Sequence, residues 1–264
     1  MRGWLYRPGS VPKAAIVLHS ATGVPQGLYK GFAEWLSQQG YACLTYDCRD
    51  FGASQSGHCL TSPATMADWG LRDHPVAQVT LERPVPNVPL WVIGHSFGGL
   101  MLSFHKWAGR IARVITVASG PAHVRDHPLG YKPTAAAFWF GPGLWASKLM
   151  GYLLDRILGL PFDLPKRVYL QWRRWCTTDG FHLSDVGSTI PHPDWSAVTA
   201  PVKLVAVADD PMVPPAAVWR LMQAYPEASK RQLTLHPSAF GLKKIGHLHT
   251  FAREKPVLWP SLIA

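Results

Sequence analysis

Short apolar runs bounded by turn residues recur along the chain, and segments with helical periodicity lie between them. The run at residues 14–19 (AAIVLH) is continuous and rich in β-branched and aliphatic residues, which is typical of a strand covered on both faces. The same pattern predicts strands at residues 14–19, 41–46, 90–93, 114–118, 202–208 and 232–236.

Helical patterns occupy the intervals between these runs. In residues 28–39 one helical face is apolar, and it consists of Leu28, Phe32, Trp35 and Leu36. Gly40 ends this helix, as glycine often does at a helix C-terminus. Further helices are predicted at residues 64–81, from residue 97 to about Trp107, at about 215–224 and after Gly246.

The alternation of strand and helix stops between residues 121 and 197 and then resumes. This interval is rich in tryptophan, and a helical pattern within it carries Leu149, Leu153 and Ile157. Alternating strands and helices predict an α/β fold with a doubly wound, mostly parallel sheet. We therefore expect a core of residues 1–120 and 198–264. Residues 121–197 are expected to form a mainly helical cap above the strand ends, where such sheets keep their sites.

Composition narrows the choice of function. The chain has 264 residues, 47% of them hydrophobic and 16% charged, which excludes a disordered protein. Its net charge of +10 raises the question of nucleic-acid binding, but the basic residues are scattered rather than clustered. We expect no nucleic-acid partner, and a surface that is mildly attractive to anionic substrates or lipids.

The cysteines and the N-terminal residues show no pattern that indicates a metal site, a redox pair or a targeting signal. The four cysteines lack C-x-x-C spacing, so reduced and buried thiols are expected rather than a zinc site or a redox pair. The first residues contain no apolar stretch typical of a signal peptide, and the longest uncharged run is too short to span a bilayer. These features predict a soluble, cytoplasmic protein without stable membrane insertion.

The strongest chemical signal is the sequence Gly94-His95-Ser96-Phe97-Gly98, which follows a predicted strand and precedes a predicted helix. In that context G-x-S-x-G is typical of a nucleophile elbow, in which a strained turn exposes the serine hydroxyl. The residue after the serine, which here is Phe97, donates its backbone N–H to the oxyanion. The alternative is a glycine-rich turn with a capping serine.

A serine hydroxyl needs an oriented base to become a nucleophile. In this kind of fold the acid and the histidine follow the serine in that order. Asp209 and Asp210 follow the strand at 202–208, and His247 lies after the last predicted strand. Both order and placement fit a Ser-Asp-His arrangement.

With these motifs the sequence resembles the α/β-hydrolase family, most closely a bacterial branch with serine-aminopeptidase-like or lysophospholipase-like labels. The resemblance covers nearly the whole chain outside residues 121–197. It is carried by residues 19–26 (HSATGVPQ), 46–54 (YDCRDFGAS), 66–70 (MADWG), 94–99 (GHSFGG), 208–211 (ADDP) and 245–247 (IGH).

The resemblance implies a nucleophile, Ser96, a base, His247, and an orienting acid from the pair at 209–210. The family pattern D-x-x-V-P matches the sequence from Asp210 and selects that residue. The resemblance also implies an oxyanion hole formed by the N–H groups of Phe97 and Ala21, and a helical cap inserted after the sixth strand. The sequence departs from the family at Ser20 and Asp50, where relatives often have glycine.

Other titratable residues offer alternatives. His249 is a second candidate for the base, and Asp126 is a second position for the acid. Metal binding by His247 with His249, or by His58 with Cys59, is disfavoured because no zinc-hydrolase motif is present. No nucleotide-binding motif occurs either, so no cofactor is expected.

The cap is expected to supply an aromatic and aliphatic pocket lining, which favours an apolar acyl group as part of the substrate. Two classes of function remain open. The first is a serine hydrolase of carboxylic esters, with amide, thioester or lactone cleavage as neighbouring activities. The second is a non-catalytic relative that binds a small molecule or a partner.

Overall fold

A seven-stranded sheet forms the centre of the fold. The computed structural model describes residues 1–154 and 162–264. The strands of the sheet are β1 (Arg2–Tyr6), β2 (Ala15–His19), β3 (Ala42–Asp47), β4 (Leu90–His95), β5 (Ile111–Val117), β8 (Val202–Val207) and β9 (Lys230–Leu235). The strand order is β1-β3-β2-β4-β5-β8-β9, in which β1 is antiparallel to β3 and the other pairs are parallel. The predicted α/β class with a mostly parallel sheet is confirmed.

Helices cover both faces of the sheet, and a buried apolar cluster lies on each side of it. A π-helical turn, Trp69–Asp73, joins the second and third α-helices, so the helix predicted at 64–81 is present. None of the helices in the described ranges is long and apolar enough to cross a membrane. The α-helices in the described parts of the chain are Lys30–Gln38, Met66–Asp68, His74–Glu82, Lys132–Phe140, Pro142–Met150, Lys166–Thr177, Pro215–Arg220 and Trp259–Ile263.

The six predicted strands are confirmed, but the first strand of the sheet was not predicted. In β1 the residues Arg2, Gly3 and Trp4 are exposed, because this is an edge strand that pairs only with β3. Such a strand has no continuous apolar run in its sequence. With β1 included, five strands precede the interval from residue 121, so the prediction of an insertion after the sixth strand is wrong for this chain.

The prediction of a helix from residue 97 to about Trp107 is also wrong. Three short 3-10 turns follow β4 instead, at Ser96–Gly99, Leu102–Phe104 and Ala108–Arg110. Two consecutive glycines, Gly98 and Gly99, open this segment, and glycine lowers helix stability by about 1 kcal/mol relative to alanine. The first turn also packs closely against the end of β2, which fixes its conformation by tertiary contact.

Within residues 121–154 and 162–197 lie three of the α-helices and a short two-stranded sheet, β6 (Tyr152–Leu153) and β7 (Leu164–Pro165). The predicted pattern of Leu149, Leu153 and Ile157 does not form one helix. Helix Pro142–Met150 ends at Gly151, whose φ of 80° is left-handed, and Leu153 lies in β6. Ile157 lies outside the described residues.

The C-terminal region is less regular than predicted. Two 3-10 turns, His249–Phe251 and Pro256–Leu258, follow Gly246, and the helix Trp259–Ile263 begins only after them. Pro256 is the first residue of the second turn. Because proline has no N–H to donate, a regular helix that began near Gly246 could not run through this position unbroken.

The loop after β3 keeps a glycine-like conformation although it carries an aspartate. Asp50 has a φ of 57°, in the left-handed region that aspartate adopts more readily than most residues. Its carboxylate accepts hydrogen bonds from the hydroxyls of Ser56 and Ser62, at 3.1 and 2.7 Å. These bonds offset part of the cost of the unusual backbone conformation.

Candidate active site

Ser96 follows β4 in a tight, strained turn. Its φ of 52° is left-handed, which is unfavourable for a residue with a side chain. A Cβ on Gly94 would lie 2.5 Å from the carbonyl oxygen of Gly98, and a Cβ on Gly98 would clash with the carbonyl of His19. Glycine at both positions therefore allows the chain to hold Ser96 at the end of the sheet.

The hydroxyl of Ser96 contacts a histidine that is itself bound to a buried aspartate. Ser96 Oγ lies 2.9 Å from Nε2 of His247, and Nδ1 of His247 lies 2.7 Å from Oδ2 of Asp210. Both the histidine and the aspartate are buried. The three residues come from loops after β4, β8 and β9, which meet at the carboxyl edge of the sheet.

The two adjacent aspartates have separate hydrogen-bond partners. Asp210 also accepts bonds at Oδ1 from the backbone N–H groups of Met212 and Val213, at 2.8 and 3.1 Å. The Asp209 carboxylate instead accepts from the N–H groups of Ile245 and Gly246, both at 2.9 Å. Asp209 thus anchors the loop that carries the histidine, and only Asp210 contacts the imidazole.

The two backbone groups expected to form the oxyanion hole differ in their surroundings. Phe97 and Ala21 both line the cavity at Ser96. The Ala21 N–H, however, donates to the phenol oxygen of Tyr29 at 2.9 Å, and Tyr29 is fully buried. This N–H therefore has an acceptor inside the protein, which argues against Ala21 as a free oxyanion donor. Nothing in the sequence pointed to Tyr29.

A cavity of about 540 Å³ opens beside Ser96 and His247. Its walls are mainly aliphatic and aromatic, and the segment from residue 121 onwards supplies a large part of them. The cavity also contains His127, which bonds the carbonyl of Pro211 at 3.0 Å. Large apolar residues that line it are Val24, Met66, Leu100, Phe138, Trp139, Trp172, Phe181, Met212 and Leu248.

The tryptophans of residues 121–197 divide between three environments. Trp139 and Trp172 line the cavity. Trp175 is fully buried in the core, where its indole N–H donates to Asp185 at 2.8 Å. Trp145 and Trp195 are exposed. The expected aromatic lining is therefore present, but sequence alone did not distinguish these positions.

The alternative site residues lie elsewhere. The imidazole that reaches Ser96 is that of His247, while His249 begins a 3-10 turn beyond it. Asp126 pairs with Arg220 and accepts a bond from the backbone of His123 at 2.8 Å. Across residues 1–154 and 162–264, no group of three or more His, Cys, Asp or Glu side chains could hold a metal ion. The four cysteines are free and buried, as expected.

A second cavity has a volume of about 470 Å³. Phe181 lines both cavities, whereas Trp195, Asp126 and Arg220 line only the second. The backbone of Phe181 is unusual, with a φ of 53° next to left-handed Gly180. A strained, bulky residue thus forms part of the wall between the two cavities.

Several histidines near the site are buried and uncharged. His19 stacks on His74 with ring centroids 4.1 Å apart, and its Nδ1 lies 2.5 Å from the Tyr46 hydroxyl. Burial lowers the pKa of both His19 and His74 well below the ordinary value. It also lowers the pKa of His95 to about 3 and that of His105 to about 4. These rings therefore act as neutral hydrogen-bonding and packing groups.

The chain belongs to the α/β hydrolase family, whose family model matches residues 15–257. The resemblance seen in the sequence motifs is confirmed. A search of the curated proteins found no match.

Solved structures with the same fold include a thermophilic esterase from Thermogutta terrifontis, at 16% identity and a TM-score of 0.58, covering 98% of this chain and 90% of that one. A monoacylglycerol lipase from Paleococcus ferrophilus is 16% identical with a TM-score of 0.56, covering 89% of each chain. An enol-lactonase from Burkholderia xenovorans is 17% identical with a TM-score of 0.58, covering 99% of this chain and 94% of that one. At these identities the similarity establishes the fold.

Proposed function

We propose that the protein is a serine hydrolase that cleaves carboxylic esters with an apolar acyl group. The observation that carries the proposal is the chain of contacts from Ser96 to His247 to Asp210, at 2.9 and 2.7 Å, beside an apolar cavity. Such contacts are those of a nucleophile, its base and an orienting acid. The names of the structural neighbours, an esterase, a lipase and a lactonase, agree with ester chemistry.

In the proposed reaction Ser96 Oγ attacks the ester carbonyl carbon while His247 Nε2 accepts the hydroxyl proton. Asp210 holds the ring and stabilises the imidazolium. The N–H of Phe97 donates to the oxyanion of the tetrahedral intermediate. When the intermediate collapses, His247 returns the proton to the leaving alcohol and an acyl-enzyme remains. Water then repeats the sequence and releases the acid, which restores Ser96.

We also propose that residues 121–197 act as the cap over this site, with residues 1–120 and 198–264 as the core. Three helices of the segment supply cavity residues, among them Phe138, Trp139 and Trp172. An apolar roof excludes water and favours an acyl chain over a sugar or a phosphate.

The test uses a fluorophosphonate probe and p-nitrophenyl butyrate. The wild-type protein is expected to be labelled at one serine and to hydrolyse the ester, whereas Ser96→Ala should lose both properties. Loss of the nucleophile typically costs about 10⁴- to 10⁶-fold in kcat. Ser103→Ala is the matched control, because Ser103 is a buried serine that bonds the Ala224 carbonyl, away from the cavity.

A folded wild-type protein that neither reacts with the probe nor turns over the ester would favour the non-catalytic alternative. Cleavage of amides or thioesters at rates above those of esters would keep the mechanism and change the substrate class.

A further inference from the structure

A buried chain of hydrogen bonds connects two loops of the site. Tyr29 Oη lies 2.8 Å from Nδ1 of His95, and Nε2 of His95 lies 2.9 Å from the backbone carbonyl of His247. The same phenol oxygen accepts the Ala21 N–H at 2.9 Å. Both side chains are fully buried, so water does not compete for these bonds.

The direction of each bond follows from the chemistry of the groups. The His247 carbonyl can only accept, so Nε2 of His95 carries the proton. Nδ1 of the neutral ring is then an acceptor, and it takes the hydroxyl proton of Tyr29. The phenol oxygen uses a lone pair for the Ala21 N–H. Every donor in the chain has one acceptor, and no other tautomer satisfies all three contacts.

We propose that Tyr29 and His95 are positioning residues that hold the backbone of the base, His247, in register with the loop after β2. The proposal rests on the proposed function, in which His247 must reach Ser96 at 2.9 Å. Small displacements of a catalytic group have large effects, about 10²-fold for 1 Å. Asp209 also anchors this loop, by accepting the N–H groups of Ile245 and Gly246.

The test compares replacements that keep or remove single bonds. His95→Gln keeps a donor near the position of Nε2, and His95→Asn keeps an acceptor near Nδ1. His95→Leu removes both. We expect kcat for p-nitrophenyl butyrate to fall about 10²-fold in His95→Leu, with KM changed less than about threefold. The His95→Gln variant should recover most of the rate, and His95→Asn should not.

The matched control is His105, which is also buried and bonds a backbone carbonyl, that of Gly70 at 2.8 Å, outside this chain of bonds. His105→Leu should lower stability without the same loss of kcat. Equal losses in His95→Gln and His95→Leu, or a loss of kcat in His105→Leu as large as in His95→Leu, would overturn the proposal.

A second readout does not depend on turnover. The proton between His247 Nδ1 and Asp210 gives a far-downfield proton NMR resonance when the pair is tightly held. This resonance is expected in wild type and His95→Gln and should broaden or shift in His95→Leu and Tyr29→Phe. An unchanged resonance in the last two would contradict the positioning role. If wild type shows the resonance but hydrolyses no ester, the proposed function fails and the positioning role stands.

A different observation concerns the outer surface of the helices that line the cavity. On helices Lys132–Phe140 and Pro142–Met150 four large apolar side chains are solvent exposed, at 49% for Phe140, 59% for Trp145, 81% for Leu149 and 47% for Met150. Large apolar side chains grouped on a surface are typical of interaction sites. We call these four residues the outer face.

Charge indicates what this face would contact. Together with Lys166–Thr177, these helices contain six Lys or Arg residues and no Asp or Glu. Lys148 lies over the ring of Trp145 at 5.3 Å, and Arg173 lies over the ring of Phe140 at 5.1 Å. Arg174 is paired with Asp185, which leaves five of the six basic residues without that counter-charge. Exposed tryptophan, aliphatic and basic side chains on these helices suit the boundary of an anionic lipid layer.

We infer that the outer face binds the surface of anionic lipid membranes. In cosedimentation, Ser96→Ala protein is used so that lipid is not hydrolysed. It should bind phosphatidylcholine vesicles that contain phosphatidylglycerol, and bind less to phosphatidylcholine alone or at high salt. Replacement of both Trp145 and Leu149 by Glu should weaken binding at least about tenfold, since it adds negative charge and removes apolar area.

Trp4→Glu and Trp107→Glu are matched controls, because these tryptophans are exposed at 67% and 50% on other parts of the chain. They should leave vesicle binding within about twofold. Controls that lose as much binding as the Trp145 and Leu149 double variant would overturn the inference. So would a wild-type protein that ignores vesicles and forms a dimer which the double variant does not form. Neither outcome bears on ester hydrolysis.

Discussion

Asp209 and Asp210 are neighbours in the chain, yet their carboxylates bind different parts of the molecule. Asp210 contacts the imidazole of His247. Asp209 accepts hydrogen bonds from two backbone N–H groups in the loop just before His247. Consecutive residues leaving a strand point in different directions, so one carboxylate faces the ring and the other faces the loop. Substitutions of the two residues are therefore expected to have different effects, one on kcat and the other on the free energy of unfolding.

We predict that Asp210→Asn lowers kcat by about 10⁴-fold, because the ring loses its correct tautomer and orientation. Asp209→Asn should instead lower the free energy of unfolding, since each charge-assisted bond contributes about 1.5–3 kcal/mol. Steady-state kinetics and urea unfolding on both variants separate these effects. A larger loss of kcat in Asp209→Asn would reverse the assignment.

At the residue scale, most of the candidate site was predictable from the sequence. Order along the chain and position after predicted strands pointed to Ser96, His247 and the pair at residues 209–210. The family pattern D-x-x-V-P then selected Asp210, and the structure brings Ser96, His247 and Asp210 together. The partner of the Ala21 N–H was not predictable, because Tyr29 meets it only after the helix Lys30–Gln38 packs against the sheet. Nothing in the spacing of residues 19–29 indicates that contact.

Strands and helices were predictable where the pattern of apolar residues within the segment is sufficient to indicate them. The strands Ala15–His19 and Val202–Val207 are buried on both faces, and each contains an apolar run that is visible in sequence, at residues 15–18 and 204–207. The segment after Ser96 depends instead on tertiary contact, since Gly98 packs against the His19 carbonyl. In residues 121–197, helices of nine residues end at glycines, and their exact limits depend on packing.

The apolar cavity predicts a dependence on acyl chain length. Each methylene moved from water into such a cavity contributes about 0.8 kcal/mol, roughly fourfold in kcat/KM. Across p-nitrophenyl esters we expect kcat/KM to rise from acetate to medium chains and to fall once the chain outgrows the cavity. An enzyme that prefers acetate to butyrate and hexanoate would show that the acyl group does not occupy this cavity.

Phe181 sets a testable limit on that length, because it lines both the 540 Å³ and the 470 Å³ cavities. Phe181→Ala is expected to connect them and shift the optimum of kcat/KM by several methylenes towards longer esters. Phe104→Ala is the matched control, since Phe104 is partly buried beside the core and lines neither cavity. Parallel profiles for wild type and Phe181→Ala would refute the shared wall.

Across the whole molecule, buried histidines link stability to pH. Burial lowers the folded-state pKa of His95 to about 3, and that of His105 and His182 to about 4, whereas in the unfolded chain it is about 6.5. The unfolded state then binds more protons below pH about 6.5. The stabilisation is complete above that pH and is lost as pH falls towards 4, by up to about 1.4 kcal/mol per pH unit for each histidine.

Urea unfolding between pH 7 and 4 checks this prediction. His105→Gln should reduce the slope of unfolding free energy against pH by the contribution of one histidine, up to about 1.4 kcal/mol per pH unit. His192→Gln should leave it unchanged, because that ring is exposed in the folded protein. A slope in His105→Gln equal to that of wild type would show that the ring is not kept neutral by folding.

The 3-10 turns that begin at Ser96 have a consequence for the electric field at the serine hydroxyl. A regular α-helix at this position would align its peptide dipoles and give about half a unit of positive charge at its first turn. The turns Ser96–Gly99, Leu102–Phe104 and Ala108–Arg110 are short and separate, so their dipoles do not add along one axis. In the proposed reaction, negative charge that develops beside Ser96 would then be compensated by single N–H groups at close range, with that of Phe97 first.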